Sequence, residues 1–254
     1  MSSPDPARRF GGISRLYGEA SLDRLAAAHV CVVGIGGVGS WAVEALARSG
    51  LRRLTLIDLD HVAESNLNRQ IHALEHTLGQ AKVLAMKERI AAINPLCAVA
   101  TIEDFVTTDN VGALLPACDC VVDAIDQVRP KAALIAYCCT RGIPVITTGA
   151  AGGKSDPAQI RIDDLSRTTQ DPLAAKLRST LRRDHGFPRD PKRKFGVECV
   201  YSLEPVRRPD AAACDIDEPG LQGLSCAGYG SSVCVTGGFG FAAASRALAL
   251  IARP

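Results

Sequence analysis

VVGIGGVGS, residues Val32–Ser40, closes an apolar run and opens a helical pattern. Gly34, Gly36 and Gly39 fit G-x-G-x-x-G, with Gly37 as an extra glycine between them. Glycine lets a backbone turn tightly and approach a phosphate or ribose, while the first turn of a helix offers unpaired N–H donors. The next apolar run, LIDLD (Leu56–Asp60), ends on Asp58 and Asp60. In a dinucleotide-type fold a carboxylate at that point accepts hydrogen bonds from ribose hydroxyls. A glycine turn used only for close packing would explain the glycines but not the acid paired with them.

Working outward, apolar β-rich runs alternate with helical patterns through Gly153. Strands are expected at His29–Gly34, Leu54–Asp58, Ala98–Ile102, Asp119–Ile125 and Pro144–Gly149, with helices near 38–49, 80–93, 109–116 and 130–141. Continuous apolar strands separated by helices predict a Rossmann-like, doubly wound α/β fold with a mostly parallel sheet. Ligands of such sheets lie beyond the carboxyl ends of the strands. After Gly153, Gln159–Ser166 and Gly196–Glu204 read as further strands that extend the sheet in antiparallel fashion. The expected organisation is one adenylating domain over 1–254. An N-terminal arm and helix occupy 1–28, a nucleotide-binding half 29–153, and a substrate-binding half 154–254 with a basic loop at 176–194.

The residues behind the acidic strand end distinguish among nucleotides. Asn66, Asn68, Arg69 and Gln70 cluster in SNLNRQ, and Lys82 falls in the first turn of the next helix. A lysine there opposes the preference for acids at a helix start, and a bound anion would remove the conflict. Two cations and a helix terminus form a clamp for a triphosphate, as in ATP, whereas NAD needs nothing of the kind. Asp126 follows the strand Cys120–Ala124 and is placed to hold a magnesium ion (Mg2+) bridging phosphates. Asp123 is close by, and either acid could instead cap the helix that follows.

Taken in order, GIGGVGS, Asp58 and Asp60, N-x-N-R-Q (Asn66–Gln70), Lys82 and Asp126 resemble the ubiquitin-activating-enzyme superfamily, whose bacterial members adenylate carboxylates. The resemblance implies that Asp58 holds the ribose, Arg69 and Lys82 the phosphates, and Asp126 the metal and the α-phosphate region. RFGGISRLYGE (Arg9–Glu19) resembles the family's arm, which in homodimers lends an arginine to the neighbouring site; Arg9 and Arg15 are its candidates. Within the superfamily, Asp123–Cys138, TTGAAGG (Thr147–Gly153), QDPLAAKLR (Gln170–Arg178) and Phe239–Phe241 resemble the subgroup that dehydrates threonylcarbamoyladenosine in tRNA. That resemblance implies an ATP-dependent cyclisation to the hydantoin, a tRNA partner, a homodimer and a sulfurtransferase-system partner.

Other features narrow the choice. A formal net charge of +2 does not by itself advertise nucleic acid. Charge is concentrated instead at Lys176, Arg178, Arg182, Arg183, Arg189, Lys192, Arg193 and Lys194, with Phe187 and Phe195 available to stack on bases. Such a segment suits phosphate contacts and single-stranded RNA; a solvated helix face with a polar loop is the plainer explanation. Ten cysteines include no C-x-x-C pair, so a four-thiolate zinc site has little support. Most lie in apolar runs, which fits a reduced, cytoplasmic chain. Cys199, Cys214, Cys226 and Cys234 lie outside the nucleotide half, and the acids beside Cys214 oppose a reactive thiolate there. Val233–Ile251 nears the length of a membrane span, but Gly237, Gly238, Gly240 and Arg246 favour a helix buried on the sheet. Three alternatives to the cyclisation are an activator of a ubiquitin-like or sulfur-carrier protein, a nucleotide-binding adaptor and an NAD oxidoreductase.

Overall fold

His29–Val33 forms an interior strand, β1, buried at every residue. It pairs in parallel with β2 (Arg53–Ile57) on one side and β4 (Cys120–Asp123) on the other. Beyond them lie β3 (Ala98–Ile102) and β5 (Val145–Thr148), also parallel. β7 (Glu198–Ser202) continues in parallel from β5, and β6 (Ile160–Asp164) closes the edge as its antiparallel partner. The computed structural model describes residues 4–207 and 229–253, so Cys214 and Cys226 lie outside the described residues. The seven strands run in the order β3-β2-β1-β4-β5-β7-β6. Strand order therefore reverses between β1 and β4, which opens a crevice at their carboxyl ends.

Helices cover both faces, as the wholly buried interior strands β1, β4 and β5 require. One apolar cluster joins α3 (Gly39–Arg48), α4 (Lys82–Ile93) and α8 (Val233–Ala252) to the sheet. The other joins α5 (Val111–Leu114), α6 (Val128–Arg141) and α7 (Pro172–Asp184) to the opposite face. Asp171 caps α7, its carboxylate accepting the Ala174 N–H at 2.8 Å, and the helix ends at Asp184. Arg189 therefore does not share its helix. The N-terminal arm is helical, with α1 (Pro6–Tyr17) followed by α2 (Ser21–Ala27).

α8 carries the apolar C-terminal stretch and packs against α3 and the sheet. It is the one helix there long and apolar enough to cross a membrane, and half of its most apolar window is buried. A Cβ on Gly240 would stand 2.5 Å from the Val38 carbonyl oxygen and 2.7 Å from Trp41 Cβ. The glycine thus lets α8 lie directly against α3, a closeness no larger residue would permit. Arg246, the charge in this stretch, pairs with Glu198 of β7 at 2.7 Å.

Candidate nucleotide-binding site

A cavity of about 760 Å3 opens where the strand order reverses. Val33, Ile57, Ala124 and Thr148 line it, so it lies at the carboxyl ends of β1, β2, β4 and β5. The same cavity gathers Gly34, Gly36, Gly37, Asp58, Asp60, Asn66, Arg69, Gln70, Lys82 and Asp126. Gly39 alone of the expected nucleotide set stands behind the wall. A Cβ on it would fall 1.8 Å from the Gly34 carbonyl oxygen, so it permits the strand-to-helix turn itself. Gly36 has open space where a Cβ would be, which leaves room for a ligand to approach the backbone.

The acids and bases of this wall hold one another. Asp58 is buried, accepting the Ile35 N–H at 2.6 Å and the Asp60 N–H at 2.9 Å. Burial pushes its carboxyl up from the ordinary value, while the nearby Lys82 ammonium and these donors pull it back. Lys82 begins α4 with only 6% of its surface exposed, and its ammonium lies 2.7 Å from Asp60 Oδ2. The lysine at this helix start is thus answered by Asp60, whose side chain is 54% exposed, and needs no bound anion to be explained. Arg69 is half-buried; its Nη1 donates to the Ser65 carbonyl at 2.7 Å and to Asn68 Oδ1 at 3.0 Å. The Trp41 indole N–H donates to the Arg69 carbonyl at 2.9 Å, tying this loop to α3. Asn66 serves the loop itself, its Oδ1 accepting the Ala63 N–H. Gln70 Oε1 is buried without a hydrogen-bond partner among the described residues.

On the other wall Asp126 is exposed and faces the cavity. It does not cap α6: Gln127 occupies that position, without a side-chain bond. Asp123 is wholly buried, and so is its partner Lys131, 2.9 Å away. Sequence reasoning passed over Lys131, although a lone lysine in the apolar run of α6 is itself a signal. It also passed over Phe105, 49% exposed, and Arg129, both of which line the cavity. No spacing rule marks the connection that carries Phe105.

The basic segment divides into packed and exposed charges. Arg178 is half-buried and donates to the Thr168 hydroxyl, and burial lowers its pKa. Arg182 lies over the Phe195 ring, 5.2 Å from its centroid, and Phe187 packs edge-on against the same ring at 5.1 Å. Phe195 is buried in the core, so it is not available to stack on a base, contrary to expectation. Tertiary packing consumes an aromatic residue that its charged neighbours in sequence made look exposed. Arg183 pairs with Asp184, and Arg189, Lys192, Arg193 and Lys194 are exposed.

None of the described cysteines lines the cavity. Cys199 is buried on β7 with its thiol pushed up by burial, and Cys234 is exposed at the start of α8. Among the described residues no three His, Cys, Asp or Glu side chains cluster to hold a metal. In the arm, Arg9 donates to the Ile93 carbonyl at the end of α4, while Arg15 is exposed.

Residues 11–252 match the model of the ThiF family. The chain is 53% identical over 247 residues to the tRNA threonylcarbamoyladenosine dehydratase of Escherichia coli (strain K12), covering 95% of this chain and 92% of that protein. A crystal structure of the E. coli tRNA N6-threonylcarbamoyladenosine dehydratase in complex with ATP matches with a TM-score of 0.88 at 50% identity, over 99% of this chain and 97% of that one. The molybdopterin-synthase adenylyltransferase of Salmonella typhimurium is 38% identical over 124 residues, 49% of each chain.

Proposed function

The chain belongs to the ThiF family, and from that premise we propose that it uses ATP to cyclise N6-threonylcarbamoyladenosine in tRNA to the hydantoin. The observation that carries this reading is the single cavity in which the glycine turn, Asp58, Arg69, Lys82 and Asp126 meet. Similarity over nearly the whole chain supports the tRNA substrate, because likeness to the molybdopterin-synthase adenylyltransferase covers only half of it. The alternative, activation of a ubiquitin-like or sulfur-carrier protein, would use the same cavity.

In this reading the ribose lies at Asp58, with Gln70 Oε1 offering a further acceptor and Phe105 an apolar face for the base. Arg69 and Lys82 hold the phosphates, together with the N–H groups that begin α3. A charge pair at about 4 Å is worth roughly 4 kcal/mol at an effective dielectric near 20. Asp60 holds Lys82 until a phosphate displaces it. The substrate carboxylate attacks the α-phosphorus, the bond to the β-phosphate oxygen breaks, and pyrophosphate leaves. The ureido nitrogen then attacks the activated carbonyl and gives its proton to solvent, while AMP departs with the former carboxylate oxygen. Ring closure within one side chain enjoys an effective molarity of about 10⁵ M or more, so no covalent thiol intermediate is required. A magnesium ion, when bound, supplies positive charge across the phosphates. Asp126 fits as its protein carboxylate, and phosphate and water oxygens would complete the shell, as is usual for this ion.

Arg183, Arg189, Lys192, Arg193 and Lys194 take tRNA phosphates, whereas Arg178 and Arg182 hold α7 and the loop in shape. The chain acts as one adenylating domain in the cytoplasm. A homodimer would form through the arm, where Leu16 is 73% exposed and Arg15 is available to a neighbouring site. A sulfurtransferase partner follows from the family resemblance alone.

The test is incubation with ATP, magnesium and tRNA carrying the modified adenosine, followed by mass analysis of the digested nucleosides. Loss of one water with AMP release is expected. An unchanged nucleoside, together with pyrophosphate exchange dependent on a small carrier protein, would transfer the assignment to the alternative.

A further inference from the structure

Beneath the Asp126 wall lies an ion pair that the proposed chemistry does not use. Lys131 and Asp123 are both fully buried, 2.9 Å apart. The Lys131 ammonium also donates to the Ile125 carbonyl at 2.9 Å and to the Asp123 carbonyl at 3.3 Å. Asp123 Oδ1 accepts the Ile125 N–H at 3.1 Å, and Oδ2 accepts the Thr147 hydroxyl at 2.7 Å. The Thr148 hydroxyl donates to the Asp123 carbonyl at 3.3 Å. Apart from the ion pair itself, every bond in this set ends on the backbone of 123–125, the residues immediately before Asp126, or joins Asp123 to the end of β5.

Stability does not account for the arrangement. Desolvating two charges offsets most of their attraction, and apolar residues of similar volume serve a core as well or better. The pair does fix the direction in which the β4–α6 connection leaves the sheet. A displacement of about 1 Å at a reacting group can cost about 100-fold in rate. The geometry points to Lys131 as a positioning residue: through Asp123 and the 123–125 backbone it sets the Asp126 carboxylate against the metal and the α-phosphate. This assignment rests on the ATP chemistry proposed above but adds a residue that touches neither substrate nor metal.

The informative variant removes both charges and keeps the volume, Asp123→Asn with Lys131→Met, in the full-length chain. We expect a folded protein whose affinity for ATP without magnesium stays within about threefold of the parent, and whose single-turnover rate of AMP formation falls about 100-fold. In an Asp126→Ala background the same pair should cost less than about threefold, because the carboxylate it positions is gone. A rate within threefold of the parent, or a loss undiminished in the Asp126→Ala background, overturns the proposal. Magnesium dependence separates this outcome from failure of the tRNA reading. If the parent leaves tRNA unchanged, the gain in ATP affinity on adding magnesium still reports Asp126. The double variant should lose that gain; keeping it overturns the assignment. Should the double variant not fold, Thr147→Val, which removes one bond to Asp123, is expected to lower the rate several-fold with the same dependence on Asp126. No change on that substitution would count against the proposal.

Discussion

One lysine lines the cavity and another lies buried beneath its Asp126 wall, and the two are used in opposite ways. Lys82 sits at the cavity edge against a carboxylate that is 54% exposed, whereas Lys131 and Asp123 are both 0% exposed. The first pair can come apart at modest cost, because water or a phosphate can replace either partner. The second cannot, because neither charge has anywhere else to go. Charges that handle a substrate belong where desolvation is incomplete, and charges that hold a backbone can lie wholly inside.

The largest expected effect tests that contrast directly. Lys131→Met alone leaves Asp123 as an uncompensated buried charge and should cost about 3–5 kcal/mol of stability, read from denaturant midpoints. Lys82→Ala leaves Asp60 beside solvent and should cost well under half of that. Equal losses would erase the distinction between the walls. Turnover should rank differently: Arg69→Ala and Lys82→Ala should each lower the single-turnover rate by about 10²–10³ with folding intact, the scale for removing one group that stabilises transition-state charge. Full activity in either would remove that residue from the phosphate clamp.

How much of this could be read from the sequence follows from the same contrast. The glycine turn, Asp58, Arg69, Lys82 and Asp126 are legible because each acts within a short motif tied to a strand end. They do meet in one cavity, and Ala98–Ile102 forms the expected strand residue for residue. What the motif could not say is who answers Lys82 when no nucleotide is present. Asp60 does so because the chain between β2 and α4 returns to the same strand end, with the Lys82 N–H donating to the Asp60 carbonyl at 3.0 Å. Lys131 stands out as a lone lysine in an apolar run, but its pairing with Asp123 was illegible for another reason. Its members belong to different elements, and only the burial of both gives the pairing meaning. Phe195 shows the same limit, since its cover is supplied by Arg182 and Phe187 in three dimensions.

The buried imidazole of His72 sharpens the contrast, because it lies near two cations of the Lys82 wall. His72 is 1% exposed, and both ring nitrogens lack a hydrogen-bond partner among the described residues. Burial, with Lys82 and Arg89 nearby, lowers its pKa from 6.5 to about 4. As pH falls, the unfolded chain takes up this proton before the folded one does. The contribution to stability is therefore complete above about pH 7 and is lost between 6.5 and 4. By pH 5 the loss should reach about 2 kcal/mol. His72→Leu should flatten the fall in denaturant midpoint between pH 7.5 and 5. An unchanged fall would show that the imidazole is not held neutral against the cations of this wall.

At the far end of the scale are charges with no buried surface to hold. Arg189, Lys192, Arg193 and Lys194 are exposed on the loop after α7. Replacing them with glutamate should leave the denaturant midpoint and ATP affinity nearly unchanged, because the group is set in solvent and each surface charge contributes little to stability. Binding to tRNA is a different matter, since each lost phosphate contact releases fewer counterions. The slope of log affinity against log salt should become shallower by roughly one for each contact removed. Affinity at low salt should fall at least about tenfold, with the variant and parent converging as salt rises and screening shortens the reach of both. The same substitutions at Arg178 and Arg182 should instead lower stability, because those side chains bond Thr168 and cover Phe195 inside the fold. If the loop variant binds tRNA with the parent's slope, the RNA docks elsewhere, and the division between charges that hold the fold and charges that meet a polyanion has been drawn in the wrong place.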